Sequence, residues 1–400
     1  MHSDVEANNS VRGKHGVMQN NRPTPSPAPT RLLLAILGIA LLVGAAIFSI
    51  FYFVIFKQAG PGPNGTPTPI VQPGSGGGGG PCTANSPYGF TTIHADAQLV
   101  TFYKQLNVCW VRYQIHWRKQ GAKAGIETAP GVYDWSQVDA AVAAMNAAHI
   151  HIDFAIQYAP QWDLTQICAG DGKPFLPGPD QMRQFATVLA TRYNGKNGHG
   201  FIDSYEIGNE EYDSYFVPSE GNNQLCRNAS YYGPVLKAGY EAIKAASPHA
   251  LVGMFGLWWH YLPHIQEFIT YLFANGYGQY MDYMNFHYYH GGEDPSVTIG
   301  QDPSFDQQWQ TMHNIAAQYG FANKAIWVTE TGWPSQASQQ QNQYLQYIMG
   351  EAAKSHVIQK VFWFTINYGQ QADNIYPAGG SPMPAFFTYQ AIVRQKPQWG

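Results

Sequence analysis

The chain is short of charge. Only 12% of its 400 residues are Asp, Glu, Lys or Arg, about half the usual share. A nucleic acid is bound by a basic face, whereas the formal net charge here is −4, so nucleic acid is disfavoured as a partner. Aromatic residues reach 14%, and all 11 tryptophans lie beyond residue 81. A mildly acidic soluble domain and a domain that holds neutral ligands such as sugars on aromatic faces both fit this composition.

Cysteine is scarce as well. The four cysteines are Cys82, Cys109, Cys168 and Cys226, and none of them forms a CxxC pair or a Cys/His cluster. Their spacing therefore does not match the common metal sites. The sequence also lacks a Gly-rich phosphate-binding turn after its first strand-like run.

A long apolar run stands near the N-terminus. Residues 32–56 contain no charge over 25 residues, and at ~1.5 Å per residue the run can cross a ~30 Å hydrocarbon core with some tilt. Basic residues are concentrated before it, at Arg12, Lys14, Arg22 and Arg31, and only Lys57 follows closely. This bias places the N-terminus in the cytoplasm and the rest of the chain outside the cell membrane. A cleaved signal peptide is the alternative, but its apolar core would be ~7–15 residues long, behind a short leader.

The segments on either side of this run lack the composition of a folded core. Residues 1–31 are polar and end in a proline-rich stretch, which predicts a disordered cytoplasmic tail. Residues 57–81 are predicted to be a linker, because nine glycines and six prolines lie within 59–81. We expect this linker to hold the next domain, residues 82–400, away from the membrane.

Strand-like and helical patterns alternate through residues 82–400. Strands are predicted near 88–93, 108–116, 150–158, 201–209, 250–257, 281–289, 325–330 and 359–367. Helices are predicted near 95–106, 136–149, 179–193, 231–246, 261–275, 305–320, 338–355 and 384–395. Eight strand–helix repeats predict an α/β fold, a (β/α)₈ TIM barrel with long loops. A doubly wound open sheet is the alternative, but it more often carries the missing phosphate-binding turn.

Two glutamates end strand-like runs. Glu210 closes residues 203–210 (DSYEIGNE) on the fourth predicted strand, and Glu330 lies within residues 325–335 (AIWVTETGWPS) on the seventh. Functional residues of such barrels lie where strands end, so the two carboxylates are expected to face one site. Paired carboxylates are how most glycosidases cleave a glycosidic bond. Two ordinary salt-bridged glutamates are the alternative interpretation.

The order of these residues resembles glycoside hydrolase clan A, with its acid on strand four and its nucleophile on strand seven. Residues 207–210 (IGNE) are similar to the acid/base motif of the clan, and residues 329–335 (TETGWPS) to the nucleophile signature of family 17 β-1,3-glucanases. Residues 205–210 (YEIGNE) resemble families 39 and 51, and residues 131–139 (GVYDWSQVD) resemble family 39 or 5. Residues 111–117 on strand two depart from family 17.

The resemblance implies a retaining glycosidase. Glu330, ionised, would attack the anomeric carbon, while Glu210 would protonate the leaving oxygen and later deprotonate water. The charge on Glu330 is expected to raise the pKa of Glu210. Glu206 lies deeper on the same strand and is expected to be a buried structural carboxylate. Arg112 would pair with Glu206 or with a catalytic glutamate, because a buried arginine without an anionic partner is costly.

Further residues are expected to bind the substrate. They come from the resemblance and from strand alternation, and they are Asn209, Arg112, His116, His287, Tyr289 and Trp363. The resemblance gives Asn209 a hydrogen bond to the sugar 2-hydroxyl, although a turn-forming asparagine is the alternative. It gives His287 or Tyr289 a bond to the nucleophile and Trp363 a place under the sugar. Packing is the competing interpretation for the histidines and for Trp363.

Four tryptophans follow strand ends and could form further subsites: Trp162, Trp258, Trp259 and Trp333. Clan members of this type need neither metal nor cofactor, so none is expected. Because an exported domain can keep disulfides, the predicted topology suggests the pairs Cys168–Cys226 and Cys82–Cys109.

The leading hypothesis is a membrane-anchored retaining O-glycoside hydrolase acting on an extracellular or cell-wall oligo- or polysaccharide. A transglycosylase and a non-catalytic carbohydrate-binding surface protein are the alternatives. The motifs divide between β-1,3-glucan and xylosides as the substrate.

Overall fold

The structure is a computed structural model, and it describes residues 82–92, 97–118, 125–167, 174–210, 229–258, 260–367, 373–377, 380–396 and 398–399. All of these lie within one compact unit, Gly78–Gly400. The predicted tail, transmembrane run and linker (1–81) lie outside the described residues, as do Cys168, Cys226 and Trp259. Within the described residues, no helix combines the length and the apolar character needed to cross a membrane.

Eight parallel strands close into a barrel. Their bounds are β1 Tyr88–Thr92, β2 Trp110–Arg118, β5 His151–Gln157, β8 Ser204–Ile207, β9 Leu251–Gly253, β10 Tyr283–Tyr288, β11 Ala325–Thr331 and β12 Ile358–Trp363. Each strand pairs with the next one in this order, and β1 pairs with both β2 and β12, which closes the ring. The strands are almost entirely buried, as expected of parallel strands covered on both faces. The predicted (β/α)₈ barrel is thus confirmed.

Helices surround the barrel. Their bounds are α1 Ala97–Leu106, α2 Ser136–Ala147, α3 Pro179–Arg192, α4 Ala229–Ala246, α5 Leu262–Ala274, α6 Phe305–Gln318, α7 Ser338–Ser355 and α8 Pro384–Gln395. Local sequence signals set several of these starts. Ser304 precedes α6, and its hydroxyl accepts a hydrogen bond from the Gln307 amide, as an N-cap should. Proline occupies the first turn of α3 and α8, where its missing amide hydrogen costs nothing.

Two hairpins extend the loops after the second and third barrel strands. The first hairpin pairs β3 Gly125–Ala129 with β4 Val132–Tyr133, and the second pairs β6 Leu164–Ile167 with β7 Pro174–Pro177. Neither was predicted, because their short strands lack a clear apolar alternation. They stand on the same side of the barrel as the strand-end glutamates.

Aromatic side chains fill the barrel near the amino ends of its strands. Tyr283 stacks on Trp327 at 3.8 Å between ring centroids, and Trp327 contacts Trp110 edge to face at 5.3 Å. The ammonium of Lys360 lies over both indoles and donates to the carbonyls of Ala84 and Ser86. This packed end leaves the carboxyl ends of the strands for chemistry.

A disulfide joins Cys82 to Cys109. It ties the segment that leads into β1 to the residue preceding β2, so this predicted pair is confirmed. The other predicted disulfide, Cys168–Cys226, lies outside the described residues.

Candidate active site

The two strand-end glutamates meet at the carboxyl end of the barrel. Glu330 lies on β11 and is buried, while Glu210 follows β8 by three residues and its side chain is 16% exposed. One carboxylate oxygen of each glutamate and a ring nitrogen of His287 all lie within 4.8 Å of one another. The structure therefore brings together three of the residues that the sequence proposed.

Arg112 connects this pair to the barrel interior. Its Nη1 lies 2.5 Å from Glu330, and its Nε and Nη2 lie 2.9 and 2.6 Å from Glu206. The sequence left open whether Arg112 pairs with Glu206 or with a catalytic glutamate, and the structure shows that it pairs with both. Burial alone would lower the pKa of Arg112, but the charges of Glu206 and Glu330 outweigh it and raise that pKa. Arg112 is thus a permanent buried cation beneath Glu330.

Two more donors hold the Glu330 carboxylate. Gln114, two residues after Arg112 on β2, donates from Nε2 to the same oxygen as Arg112. Tyr289 donates from its hydroxyl to the other oxygen at 2.9 Å. Burial raises the pKa of Tyr289 well above its ordinary value, so its hydroxyl remains a donor. Three donors on one carboxylate favour its ionised form. Gln114 was given no role from the sequence, although its place on the inward face of β2, two residues from Arg112, was the available signal.

His287 contacts Glu210. Its Nδ1 lies 2.6 Å from Glu210 Oε1, and its Nε2 lies 3.6 Å from Glu330 Oε1. The resemblance implied that His287 or Tyr289 would bond the nucleophile. Of these two residues, Tyr289 is the one that donates a hydrogen bond to Glu330. Burial lowers the pKa of His287 to about 4, so the imidazole is neutral at physiological pH.

Burial also raises the pKa of Glu210 to about 7, against the opposing charges of Arg112 and His260. The charge on Glu330 was expected to be the cause, but the removal of Glu210 from water is the largest effect. A carboxyl group with this pKa can hold a proton near neutral pH and release it after the proton is transferred.

Asn209 is buried beside Arg112. Its side-chain oxygen accepts a hydrogen bond from Arg112 Nη2 at 2.8 Å. This contact fixes Asn209 within the charged cluster, and its predicted bond to a sugar hydroxyl stays a prediction. His116, nearer the carboxyl end of β2, packs edge to face on Tyr158 at 4.5 Å between ring centroids. Its predicted role in sugar binding also stays a prediction.

Trp363 has no exposed surface in the structure. It is in register with Phe90, whose ring packs on Tyr389 of α8. Residues in register on parallel strands share a face, so Trp363 points to the helix layer, where it stacks near Trp333 at 6.2 Å. The expectation of an open platform assumed that Trp363 points inward. The structure instead places it in the core.

The predicted subsite tryptophans differ in exposure. Trp162 is 45% exposed in the turn Gln161–Asp163 and directs its Nε1 toward Glu127 at 3.4 Å. Trp258 is half-buried, and Trp333 is buried in the core. Of these, Trp162 presents the largest open aromatic surface at the loop end of the barrel.

Glu210, His287 and Glu330 could also be considered as metal ligands, because their atoms are close together. Those atoms already have partners, however. Both Glu330 oxygens accept hydrogen bonds, and His287 Nδ1 bonds Glu210. The arrangement thus suits paired-carboxylate chemistry better than a ligand set, and the expectation of no metal stays a prediction.

Comparisons with known proteins agree with this geometry. Residues 228–389 match the family model described as glycosyl hydrolase catalytic core, a stretch that contains Glu330 but not Glu210. No match was found among curated proteins.

Solved structures share the fold. A family 39 glycoside hydrolase from Bacteroides cellulosilyticus WH2 aligns with a TM-score of 0.60 at 18% identity, over 78% of this chain and 64% of that one. A monomeric beta-xylosidase from Caulobacter crescentus CB15 aligns with a TM-score of 0.54 at 18% identity, over 78% and 69%. A fungal beta-1,4-galactanase aligns with a TM-score of 0.56 at 15% identity, over 76% and 99%. The chain spans less than two thirds of the length of the family 39 enzyme.

Identities this low show the fold alone. The family model adds a likeness to the catalytic core of glycosyl hydrolases over residues 228–389. Together they support the resemblance to clan A that the strand-end motifs carry. The chain has a (β/α)₈ barrel, and its residues 228–389 resemble a glycosyl hydrolase catalytic core.

Proposed function

We propose that the chain is a retaining O-glycoside hydrolase, with Glu330 as nucleophile and Glu210 as acid/base. The observation that carries this proposal is the distance of at most 4.8 Å between carboxylate oxygens of the two residues. Retaining enzymes place the two groups about 5–5.5 Å apart, whereas inverting enzymes need roughly 6.5–9.5 Å to admit a water. The short distance supports double displacement.

In the first step, a Glu330 oxygen forms a bond to the anomeric carbon while the bond from that carbon to the leaving oxygen breaks. The proton of Glu210 goes to the leaving oxygen. In the second step, Glu210 takes a proton from water, and the water oxygen attacks the anomeric carbon. The ester bond to Glu330 breaks, Glu330 regains its charge, and Glu210 is protonated again.

The surroundings of the two carboxyls suit these unequal roles. Arg112, Gln114 and Tyr289 all donate to Glu330, so its ionised form is stabilised. Glu210 has its pKa raised by burial to about 7, so it retains a proton to donate. Two carboxyls with different environments divide into a base and an acid in this way.

A neutral glycan is the substrate class that the site favours. Among the described residues, the arginine that contacts Glu330 is Arg112, which is completely buried and already paired with Glu206 and Glu330, so it offers no free cation to an acidic sugar. The motifs divide between β-1,3-glucan and xylosides, and the solved structures with this fold include a beta-xylosidase and a beta-1,4-galactanase. We propose a glycan of this neutral, β-linked kind.

The proposed place of action is outside the cell, on a membrane anchor. Residues 32–56 are charge-free and preceded by four basic residues, which supports a single span with its N-terminus in the cytoplasm. The Cys82–Cys109 disulfide is in keeping with an oxidising compartment. Protease treatment of intact cells should then remove the barrel and leave residues 1–31 protected. Protection of the barrel would contradict this location.

Turnover of the full chain on a panel of neutral glycans and aryl glycosides tests the activity. Glu330→Gln should nearly abolish turnover, and Glu210→Ala should be partly rescued by azide or by a good leaving group. Glu241→Gln, on the outer face of α4, serves as the control and should retain activity. Sugar binding without any product from wild type would favour a non-catalytic binding protein.

A further inference from the structure

Two more carboxyl groups lie buried side by side beneath Glu330. Glu206 on β8 and Asp153 on β5 have no exposed surface, and both lie in the buried cluster around Arg112. Strands β5 and β8 are parallel neighbours, with Asp153 in register with Ser204. Neither carboxyl has a role in the double displacement described above.

The donors around this pair reach only two of its four oxygens. Glu206 Oε2 accepts from Arg112, and Asp153 Oδ1 accepts from the Tyr283 hydroxyl at 3.1 Å. Glu206 Oε1 and Asp153 Oδ2 are buried and receive no donor from the residues that the structure describes. Two ionised carboxylates cannot hydrogen-bond each other, because both are acceptors only. A single proton shared by the two carboxyls would give both of these oxygens a hydrogen-bond partner.

The charges of the cluster lead to the same result. Arg112 has three acids around it, Glu330, Glu206 and Asp153, all buried. Three ionised carboxylates around one guanidinium would leave an excess of buried negative charge, even with the nearby ammonium of Lys360, which is unfavourable. Burial raises the pKa of Asp153, and it raises that of Glu206 to about 7. The other titratable groups that face the pair are Tyr283 and His287 on β10 and Lys360 on β12.

We propose that Glu206 and Asp153 share one proton and act together as a monoanionic positioning pair, which balances Arg112 when Glu330 becomes esterified. The proposal rests on the proposed function for this last role. In the free enzyme, Arg112 is shared between Glu330 and the pair. When Glu330 bonds the anomeric carbon, its carboxylate becomes a neutral ester. The single negative charge of the pair then balances the positive charge of Arg112. The shared proton stays within the pair throughout.

Amide substitutions can measure how many negative charges the Glu206–Asp153 pair carries. Asp153→Asn and Glu206→Gln each supply an NH₂ donor where the shared proton lay, and each leaves one negative charge on the pair. The double variant leaves none. In both single variants, the acidic and basic limbs of the kcat/KM pH profile should therefore lie at the same pH as in wild type. The double variant should move both limbs to lower pH by roughly one unit, because losing a nearby negative charge favours ionised carboxyls.

Two outcomes of these profiles would overturn the proposal. Equal shifts in each single variant, adding up in the double variant, would mean two separate charges. No shift in the double variant would mean that the pair is neutral. A loss of packing alone would lower the melting temperature and kcat without moving both limbs together.

The proton itself can be observed without catalysis. The infrared difference between wild type and Asp153→Asn, recorded above neutral pH, should show the loss of one protonated-carboxyl C=O stretch. Asp134→Asn is the control, because Ser136 lowers the pKa of Asp134 and keeps it ionised. An unchanged spectrum in Asp153→Asn would overturn the shared proton even in an active enzyme. An inactive wild type that shows the band would instead refute the proposed function.

Discussion

The imidazole of His287 lies between the two glutamates, with Nδ1 2.6 Å from Glu210 and Nε2 3.6 Å from Glu330. Because burial lowers the pKa of His287 to about 4, the ring is an uncharged spacer above that pH. A charged ring would stabilise the ionised form of Glu210 and lower its pKa, so less of Glu210 would carry a proton to donate near neutral pH. A neutral ring positions Glu210 without this penalty.

Gly256 makes room for this ring. A Cβ at Gly256 would overlap the imidazole of His287, which is itself buried and cannot simply move aside. Gly256→Ala should displace His287 from Glu210 and lower kcat/KM by roughly 10- to 100-fold, since small misplacements of catalytic groups are costly. Steady-state kinetics of the full chain measures this change.

Gly350→Ala is the matched control for that variant. Gly350 lies in α7, where a Cβ meets nothing within 4 Å, so activity should stay at the wild-type level. Wild-type kcat/KM in Gly256→Ala would contradict the role given to His287.

Tyr289→Phe should slow the reaction while the fold is retained. The substitution removes one of the hydrogen bonds to Glu330, and a hydrogen bond to a charged group contributes about 1.5–3 kcal/mol. If the Tyr289 bond supports Glu330 through the transition state, kcat should fall roughly 10- to 100-fold. Tyr261→Phe, at a tyrosine that is 42% exposed, should have no effect. An equal loss in both variants would show that the tyrosine hydroxyl at 289 has no special role.

The pH dependence should report the proton on Glu210. The pKa of Glu210 is raised by burial to about 7, and the protonated form is the one that donates. For substrates with poor leaving groups, kcat/KM should therefore fall about tenfold per unit above pH 7. Substrates whose leaving group needs no proton should show a weaker decline. A basic limb near pH 9, or identical profiles for both substrate types, would argue against Glu210 as the acid.

Much of the fold could be read from the sequence, because strand and helix periods alternate cleanly. The helix predicted at 384–395 is α8, Pro384–Gln395, and the one predicted at 338–355 is α7, Ser338–Ser355. Glu210 and Glu330 could be placed at the ends of the fourth and seventh barrel strands, since the count of repeats orders the strands. Arg112 could be assigned an anionic partner, because a buried arginine requires one.

Tertiary packing accounts for what the sequence did not reveal. Alternation along β12 suggested an inward Trp363, but its register with Phe90 turns it toward the helices. The contact of His287 with Glu210 depends on how closely β10 and the end of β8 approach. Asp153 is a single acid within an apolar strand, and only the structure shows that it is buried in the same cluster as Glu206.

Trapping the covalent intermediate tests the central claim most directly. A 2-deoxy-2-fluoro analogue of a glycoside that the enzyme turns over should leave a glycosyl-enzyme, and peptide mass spectrometry locates the sugar. The account predicts one sugar on the peptide that contains Glu330, none in Glu330→Gln, and retained configuration in the product of the natural substrate. A label on the peptide that contains Glu206 and Glu210, or an active enzyme that inverts the anomeric centre, would contradict it.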